Sequence, residues 1–393
     1  MAARCGSRLC LRAFSRAANP RAVVVGAACK DHIARAGVGL NPAAGFQLAT
    51  STPGHVTSTF GGVARNVAEA VGRCGGSVEF VSAADVATLA ALNGYGVTTS
   101  FSVETHKMPT YVAVLDQAGS LVGAVFDRGD HTSLEAAVAA AGDAVAEAAL
   151  VVLDGNVDAS SLLAHVPQNA EVWFDPTSES KARGVSEAVL RRANLVTPSE
   201  IELWALLDAV DALLAARRGA DIYEIDARRS AVDSIGGKAS QAASETACGA
   251  PRPPSGDARN DLASVSSAAK RLADSLRSLA GEGVLGEKRV CVTLGDRGAL
   301  LATAESDAVV LLAAGVFDGT VSSSGCGDTL LGVAAAAVLG GAPLESALRC
   351  GMRGAELTLA SPLSVSPHID ANWLAATLEA ERSKGPDIVI WRA

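Results

Sequence analysis

From Arg21 onward, short apolar runs alternate with longer stretches of helical spacing, and no other feature narrows the fold as far. Ala22–Val25, Val78–Val81, Leu150–Leu153, Val172–Phe174, Leu195–Thr197 and Val290–Leu294 are too short for helices and read as buried strands. Between them, Val63–Cys74 and the stretches 133–149, 183–193, 200–215 and 262–281 carry small and apolar residues at helical intervals. The first of these stops at Gly75-Gly76, a helix-ending signal. Strands buried on both faces, each followed by a helix, predict an α/β fold with a mostly parallel sheet between two helical layers.

Two segments break the rhythm. Around Thr110–Phe126, two β-rich runs flank Asp116-Gln117-Ala118-Gly119, which predicts a hairpin able to pair with extended chain near 46–60 as a flap outside the main sheet. The stretch 221–260 is rich in Ala, Ser, Gly, Arg and Pro without an apolar period, and reads as a disordered surface insertion of no catalytic role. The amino terminus differs again. Residues 1–30 hold no Asp or Glu, and Arg4, Arg8, Arg12 and Arg16 recur every four residues. That pattern resembles a mitochondrial or plastid transit peptide, or else a basic tail; residues 1–20 are set apart from the domain expected over 21–393, and the alternative address is cytoplasmic.

Composition excludes several classes of function. The 393 residues carry 33 Lys+Arg against 42 Asp+Glu, a net charge of −9, which opposes binding to a nucleic-acid backbone. No run of about 18 uninterrupted apolar residues appears, so no membrane span is expected. The eight cysteines form no CxxC pair and no metal-finger spacing, and read as reduced thiols.

The chemistry concentrates in glycine loops. Val321-Ser-Ser-Ser-Gly325-Cys326-Gly327-Asp328-Thr-Leu-Leu331 runs straight into an alanine-rich helix, so unpaired amides at its start suit a phosphate or a developing negative charge. Asp328, in the first turn, could accept a proton from a hydroxyl there, although the same residues also make a capped tight turn. Gly61-Gly62-Val-Ala-Arg-Asn66-Val-Ala68 is a second glycine pair before a helix, with Asn66 offering a donor and an acceptor to a sugar-like hydroxyl pair. Asp31 follows the first strand by a few residues, where ligands of open α/β sheets bind. Each of the last two is equally a packing or turn feature when read alone.

Together these sites resemble the PfkB (ribokinase-like) family of sugar and nucleoside kinases, over about residues 22–370 apart from the insertion. Gly61–Ala68 matches its GGxxxNxA signature, and Ser324–Leu331 its GAGD signature with Cys326 in the alanine place. The resemblance implies a three-layer ribokinase-like fold with a small β lid from about 40–60 and 100–127. It implies Asp328 as catalytic base, and the amides of Gly325, Cys326 and Gly327 as anion hole. Asp31, Gly61, Gly62 and Asn66 would hold the acceptor's hydroxyls. Thr197-Pro-Ser199-Glu-Ile-Glu202-Leu resembles the NxxE region, with Glu202 supporting Mg²⁺ through water and Ser199 replacing the usual Asn beside ATP. Thr293-Leu-Gly295-Asp-Arg-Gly298 resembles the strand and turn beneath ATP. A monovalent cation and a homodimer through the lid also occur in such enzymes.

Within the family, Pro109–Asp116, Leu153–Asn156, Trp173–Lys181 and the tail from Glu356 to Pro367 look most like pseudouridine kinases. Thr110 and Lys181 are then substrate-side contacts, Lys181 being otherwise a solvated surface lysine. The implied reaction is ATP plus pseudouridine giving pseudouridine 5′-phosphate and ADP. Ser82–Ala87 lacks the glycines usual after the strand at 78–81, and Phe126–Asp130 departs from the subgroup at the hairpin's end. Those departures keep two other readings open: a kinase for ribose or another nucleoside, and a catalytically weak nucleoside-binding protein.

Overall fold

In the computed structural model the chain is described over residues 20–37, 51–116, 121–218, 258–281, 286–315, 319–383 and 389–392. The expected transit segment (1–19 of its residues), the extended chain at 46–50 and most of the expected insertion (221–257 of 221–260) lie outside the described residues. The helix after the insertion begins earlier than its apolar period announces, at Ala258 rather than 262, and runs to Ala280.

Sixteen strands are described, in chain order β1 (Arg21–Val25), β2 (Cys29–Ala36), β3 (Gly54–Gly61), β4 (Ser77–Val81), β5 (Ala83–Ala84), β6 (Val97–Thr98), β7 (Val103–Glu104) and β8 (Thr110–Leu115). They continue with β9 (Leu121–Asp127), β10 (Leu150–Asp154), β11 (Glu171–Asp175), β12 (Leu195–Val196), β13 (Arg289–Thr293), β14 (Ala299–Thr303), β15 (Ala308–Leu312) and β16 (Val389–Arg392). The apolar runs become one ten-stranded sheet in the order β6-β4-β1-β10-β11-β12-β13-β14-β15-β16. Pairing is parallel from β6 to β13 and antiparallel from β13 to β16.

The pleat sends alternate residues of β1 to opposite cores. Val23 and Val25 pack under one helical layer with Leu153 and Phe174. Ala22 and Val24 pack under the other with Phe80, Leu150 and Trp173. In that second layer the helices Val63–Arg73 and Cys326–Leu339 lie side by side, with Gly332 against Val67 and Ala70. In the first layer the helices Glu200–Arg217 and Ala258–Ala280 run parallel, joined by the Arg271–Asp211 ion pair and by Arg217 Nη1 donating to the Leu279 carbonyl at 2.8 Å.

A separate four-stranded sheet has the order β3-β2-β8-β9. The hairpin is present, as β8 and β9, but it does not pair directly with β3, the described part of the extended chain near 46–60 expected to take it. Strand β2 stands between them, parallel to β8 and antiparallel to β3. Asp31 is therefore a residue of this small sheet, beyond the loop that leaves β1. Val56, Val112 and Val125 are exposed on one of its faces. The short segment Ser82–Ala87 is accounted for locally: β5 pairs with β7, and Asp85 accepts from the Thr88 amide at 2.9 Å to cap the helix Val86–Gly94 while ion-pairing Lys30.

Candidate active site

The carboxyl ends of β1, β10, β11 and β12 meet the amino ends of the helices Val63–Arg73 and Cys326–Leu339, and every candidate residue of the sequence reading lies on that rim or on the small sheet above it. At the centre, Asn66 Nδ2 donates to Asp328 Oδ2 at 2.7 Å, joining two segments 262 residues apart. Burial raises the Asp328 carboxyl to about 7, the carboxylates of Asp154 and Asp31 push the same way, and the Asn66 amide and the Arg65 charge oppose them. A carboxyl poised there exchanges protons near neutral pH.

The loop before Asp328 is built as a cradle. Gly325 caps the helix in a left-handed conformation (φ +78°), and a side chain there would overlap the Ser364 carbonyl. No side chain caps the helix start, and Thr329, at 2.8 Å from the Gly325 carbonyl, is the first residue to close a helical turn. The amides of Gly325, Cys326 and Gly327 thus sit at the tip of a helix long enough to carry a useful dipole. Burial and the Asp328 charge push the Cys326 thiol up to about 12, so the residue in the usual alanine place is a neutral group.

Asp31 reaches this rim from β2. Gly61 faces it closely enough that a side chain would overlap the Asp31 carboxylate, while Gly62 lies against the backbone of Ala27 and Ala28. The glycine pair therefore admits protein groups, and Gly62 in particular has a packing function. Burial raises the Asp31 carboxyl, and the Arg65 charge opposes the rise. Thr110 opens β8 beside Lys30, its hydroxyl donating to the Met108 carbonyl at 3.2 Å.

The sequence reading named Lys181 but missed Asp154 and Asp175. Asp154, fully buried at the end of β10, accepts from the amides of Ala27 (3.0 Å), Ala64 (3.2 Å) and Asn156 (2.9 Å) and from Asn156 Nδ2 (2.8 Å). It ties the loop after β1, the first helix and the loop after β10 to one point. Lys181 donates to Asn156 Oδ1 and is half-buried, near the Asp154 charge. Asp175, at the end of β11, accepts from the Thr177 amide at 2.8 Å and from the Thr197 hydroxyl at 3.2 Å. Thr177 holds φ +68°, rare for a β-branched residue, and its hydroxyl accepts from the Gly155 amide at 3.0 Å. Only the buried Asp-Gly-Asn and Asp-Pro-Thr turns at strand ends could have signalled these groups.

A model of the pfkB family of carbohydrate kinases matches residues 20–230 and 259–371. The chain belongs to that family. Among solved structures, this pfkB kinase chain is similar in fold to ribokinase from Giardia lamblia (TM-score 0.63, 15% identity, 92% of this chain and 100% of that one). It is similar also to Arabidopsis thaliana ribokinase complexed with ribose and ATP (0.61, 17%, 92% and 99%) and to a Burkholderia thailandensis nucleoside kinase in complex with inosine (0.58, 15%, 91% and 96%). In sequence it is 24% identical over 367 residues to a pseudouridine-metabolizing bifunctional protein of Schizosaccharomyces pombe. That match covers 84% of this chain and 45% of the relative, so the chain spans about half the relative's length.

Placed on the pfkB frame, the remaining candidates lie along the ends of β12 and β13. Ser199 bridges to Thr293, and the Thr293 amide donates to the Pro198 carbonyl at 2.9 Å. Ser199 is expected to touch water or phosphate; its hydroxyl instead takes the Glu202 amide at 3.5 Å, while Glu202 Oε2 takes the Ser199 amide at 2.7 Å. This reciprocal capping box starts the helix Glu200–Arg217. Gly295 opens the turn to Arg297, Arg297 ion-pairs Glu200, and Gly298 lies against the Leu312 carbonyl.

The family implies Mg²⁺, and the residues present fit it. Asp175 is pushed well above the usual carboxylate range by burial and then by the charges of Glu202 and Asp328, a repulsion that a cation would relieve. Among the described residues no three His, Cys, Asp or Glu converge as a ligand set. Among the described residues, no helix is long and apolar enough to cross a membrane.

Proposed function

We propose that this carbohydrate-kinase chain transfers the γ-phosphoryl group of ATP to the 5′-hydroxyl of pseudouridine, giving pseudouridine 5′-phosphate and ADP. The observation that carries the reaction class is the 2.7 Å contact of Asn66 with Asp328 at the mouth of the glycine cradle. It sets an acceptor-binding residue and a base side by side, with the amides of the helix start alongside. The nucleoside itself rests on the resemblance of Pro109–Asp116, Leu153–Asn156 and Trp173–Lys181 to that subgroup and on the S. pombe relative.

In this reading Asp31, Asn66 and the backbone at Gly61 and Gly62 hold the ribose hydroxyls, with Thr110 and Lys181 on the base. Asp328 takes the proton of the 5′-hydroxyl as it attacks. The amides of Gly325, Cys326 and Gly327 stabilise the charge on the phosphoryl group in transfer. ATP lies over Thr293, Gly295 and Gly298 with Ser199 at its edge. Mg²⁺, supported from Glu202 and Asp175, neutralises phosphate charge when bound. The small sheet closes over the acceptor and excludes water, and its exposed valines suit a second copy of the chain.

The test is ADP release with Mg²⁺-ATP and pseudouridine, uridine, adenosine or ribose in parallel. Activity on pseudouridine, at least tenfold above the rest, is expected. Equal or better activity on another acceptor keeps the phosphoryl transfer and overturns the nucleoside. No ADP with any acceptor, while ATP still binds, favours a nucleoside-binding protein.

A further inference from the structure

Arg65 is the most deeply buried guanidinium beside the site, at 4% exposure, and the reaction above gives it no task. Its Nη1 donates to Asn66 Oδ1 at 2.8 Å and to the Phe60 carbonyl at 3.1 Å, its Nη2 ion-pairs Glu69, and it lies 5.6 Å from the Phe60 ring centre. Its Nε is buried without a partner. Glu69, itself 3% exposed, also holds Arg73 Nε at 2.6 Å. Two guanidinium groups thus share one carboxylate, and positive charge is left over in the interior, next to Asn66. Burying an arginine this way is costly, and helix stability alone gives no reason for it.

The hydrogen-bond chemistry supplies one. An asparagine amide has an acceptor end and a donor end, whereas a guanidinium only donates. With Arg65 bonded to Oδ1, the NH₂ end of Asn66 has to face Asp328. We propose that Arg65 is a positioning residue for Asp328: through Asn66 it fixes which end of the amide meets the carboxylate, and its charge keeps that carboxylate ready to receive the acceptor's proton. This rests on the reading of Asp328 as the base.

The groups around Asp328 show what the arginine opposes. Asp154 faces it from β10, Asp31 from β2, and Asp175 from β11, with Glu202 beyond it on the helix Glu200–Arg217. The Cys326 thiol on its own helix is neutral. Lys181 lies beside Asp154. Arg65, on the helix Val63–Arg73, is the cation set against the carboxylates at Asp328 itself. Without it the Asn66 amide can turn its oxygen toward Asp328, and two acceptors would then face each other.

The experiment compares Arg65→Gln and Arg65→Lys with the full chain. The Asp328 carboxyl is titrated by ¹³C NMR, its signal assigned by its loss in Asp328→Asn, and kcat and KM are measured across pH. For Arg65→Gln, a rise of the Asp328 midpoint by about 0.5–1 unit is expected, with the acidic limb of kcat moving alongside and kcat at pH 7 falling about tenfold. KM for ATP should stay within about twofold, which a general loss of packing would not give. Arg65→Lys keeps the charge but not the reach, so its midpoint should lie near the parent's while kcat falls several-fold. An unmoved Asp328 midpoint in folded Arg65→Gln overturns the proposal. If Arg65→Gln does not fold, an unchanged kcat in Arg65→Lys overturns it. The NMR titration needs no turnover, so a parent protein that releases no ADP would reject the kinase reading while leaving the Arg65–Asp328 coupling separately decided.

Discussion

Asp328 makes two demands on the protein that pull in opposite directions. Its carboxyl is raised from 3.8 to about 7 by burial, so between those values the folded chain keeps a proton that the unfolded chain has lost, and stability falls as pH rises through that window. Asp328→Asn removes the penalty. Urea unfolding should show the variant more stable than the parent at pH 8, on the order of 1–2 kcal/mol, with the difference vanishing near pH 4. Turnover should move the other way, down at least about a thousandfold with ATP binding retained. In the parent, kcat should rise with pH through a midpoint near 7. Full turnover by folded Asp328→Asn would remove the residue from the mechanism. Asp328 and Asn66 were legible in the sequence because a glycine loop entering a helix is a local pattern. Asp154 and Asp175 were not, because their partners come from segments brought together only by the sheet; Arg65 has local partners, but its burial against them is set by tertiary packing.

At the scale of elements, the helix Glu200–Arg217 shows one carboxylate serving structure and site together. Glu202 closes the capping box with Ser199 and adds its charge to the Asp175–Asp328 cluster. A glutamine fits a capping box equally well. Glu202→Gln should therefore unfold within about 0.5 kcal/mol of the parent, yet need several-fold more Mg²⁺ for half-maximal rate, as a Mg²⁺ titration of ADP release would show. Ser199→Ala should lose about 1 kcal/mol in unfolding experiments, the ordinary worth of a cap. Equal Mg²⁺ requirements in Glu202→Gln and parent would take Glu202 out of the metal's surroundings. The central strands were legible as apolar runs because they are buried on both faces. Strand β2, Cys-Lys-Asp-His-Ile-Ala-Arg-Ala, was not, since it is only half-buried in a sheet outside the core and carries charged residues among its apolar ones. The antiparallel direction of β14–β16 was equally hidden, because apolar content does not encode strand direction.

At the scale of the molecule, the parallel course of the helices Glu200–Arg217 and Ala258–Ala280 sets a length requirement. Arg217 lies level with Leu279, so the chain between them has to return along about 30 Å of helix before Ala258. An extended residue covers at most about 3.5 Å. Replacing 221–255 with a flexible linker of twelve or more residues should leave ADP release within about twofold, while linkers of two or fewer, reaching about 25 Å with the retained flanking residues, should abolish folding, read by circular dichroism. Loss of activity with a long linker in a folded protein would give the segment a catalytic role.

The Asp154 tether has a further mechanical consequence. Because it clamps the amides of Ala27 and Ala64, the small sheet is anchored just before β2 begins, and β2 becomes a lever arm with its fulcrum at residues 26–28. Asp31 lies roughly 13 Å along that arm and Ala36 roughly 30 Å, at about 3.3 Å per residue. Rocking by about 10° would sweep the outer edge through about 5 Å but displace Asp31 by only about 2 Å. The sheet can thus swing widely at its tip while the carboxylate near its pivot keeps its aim.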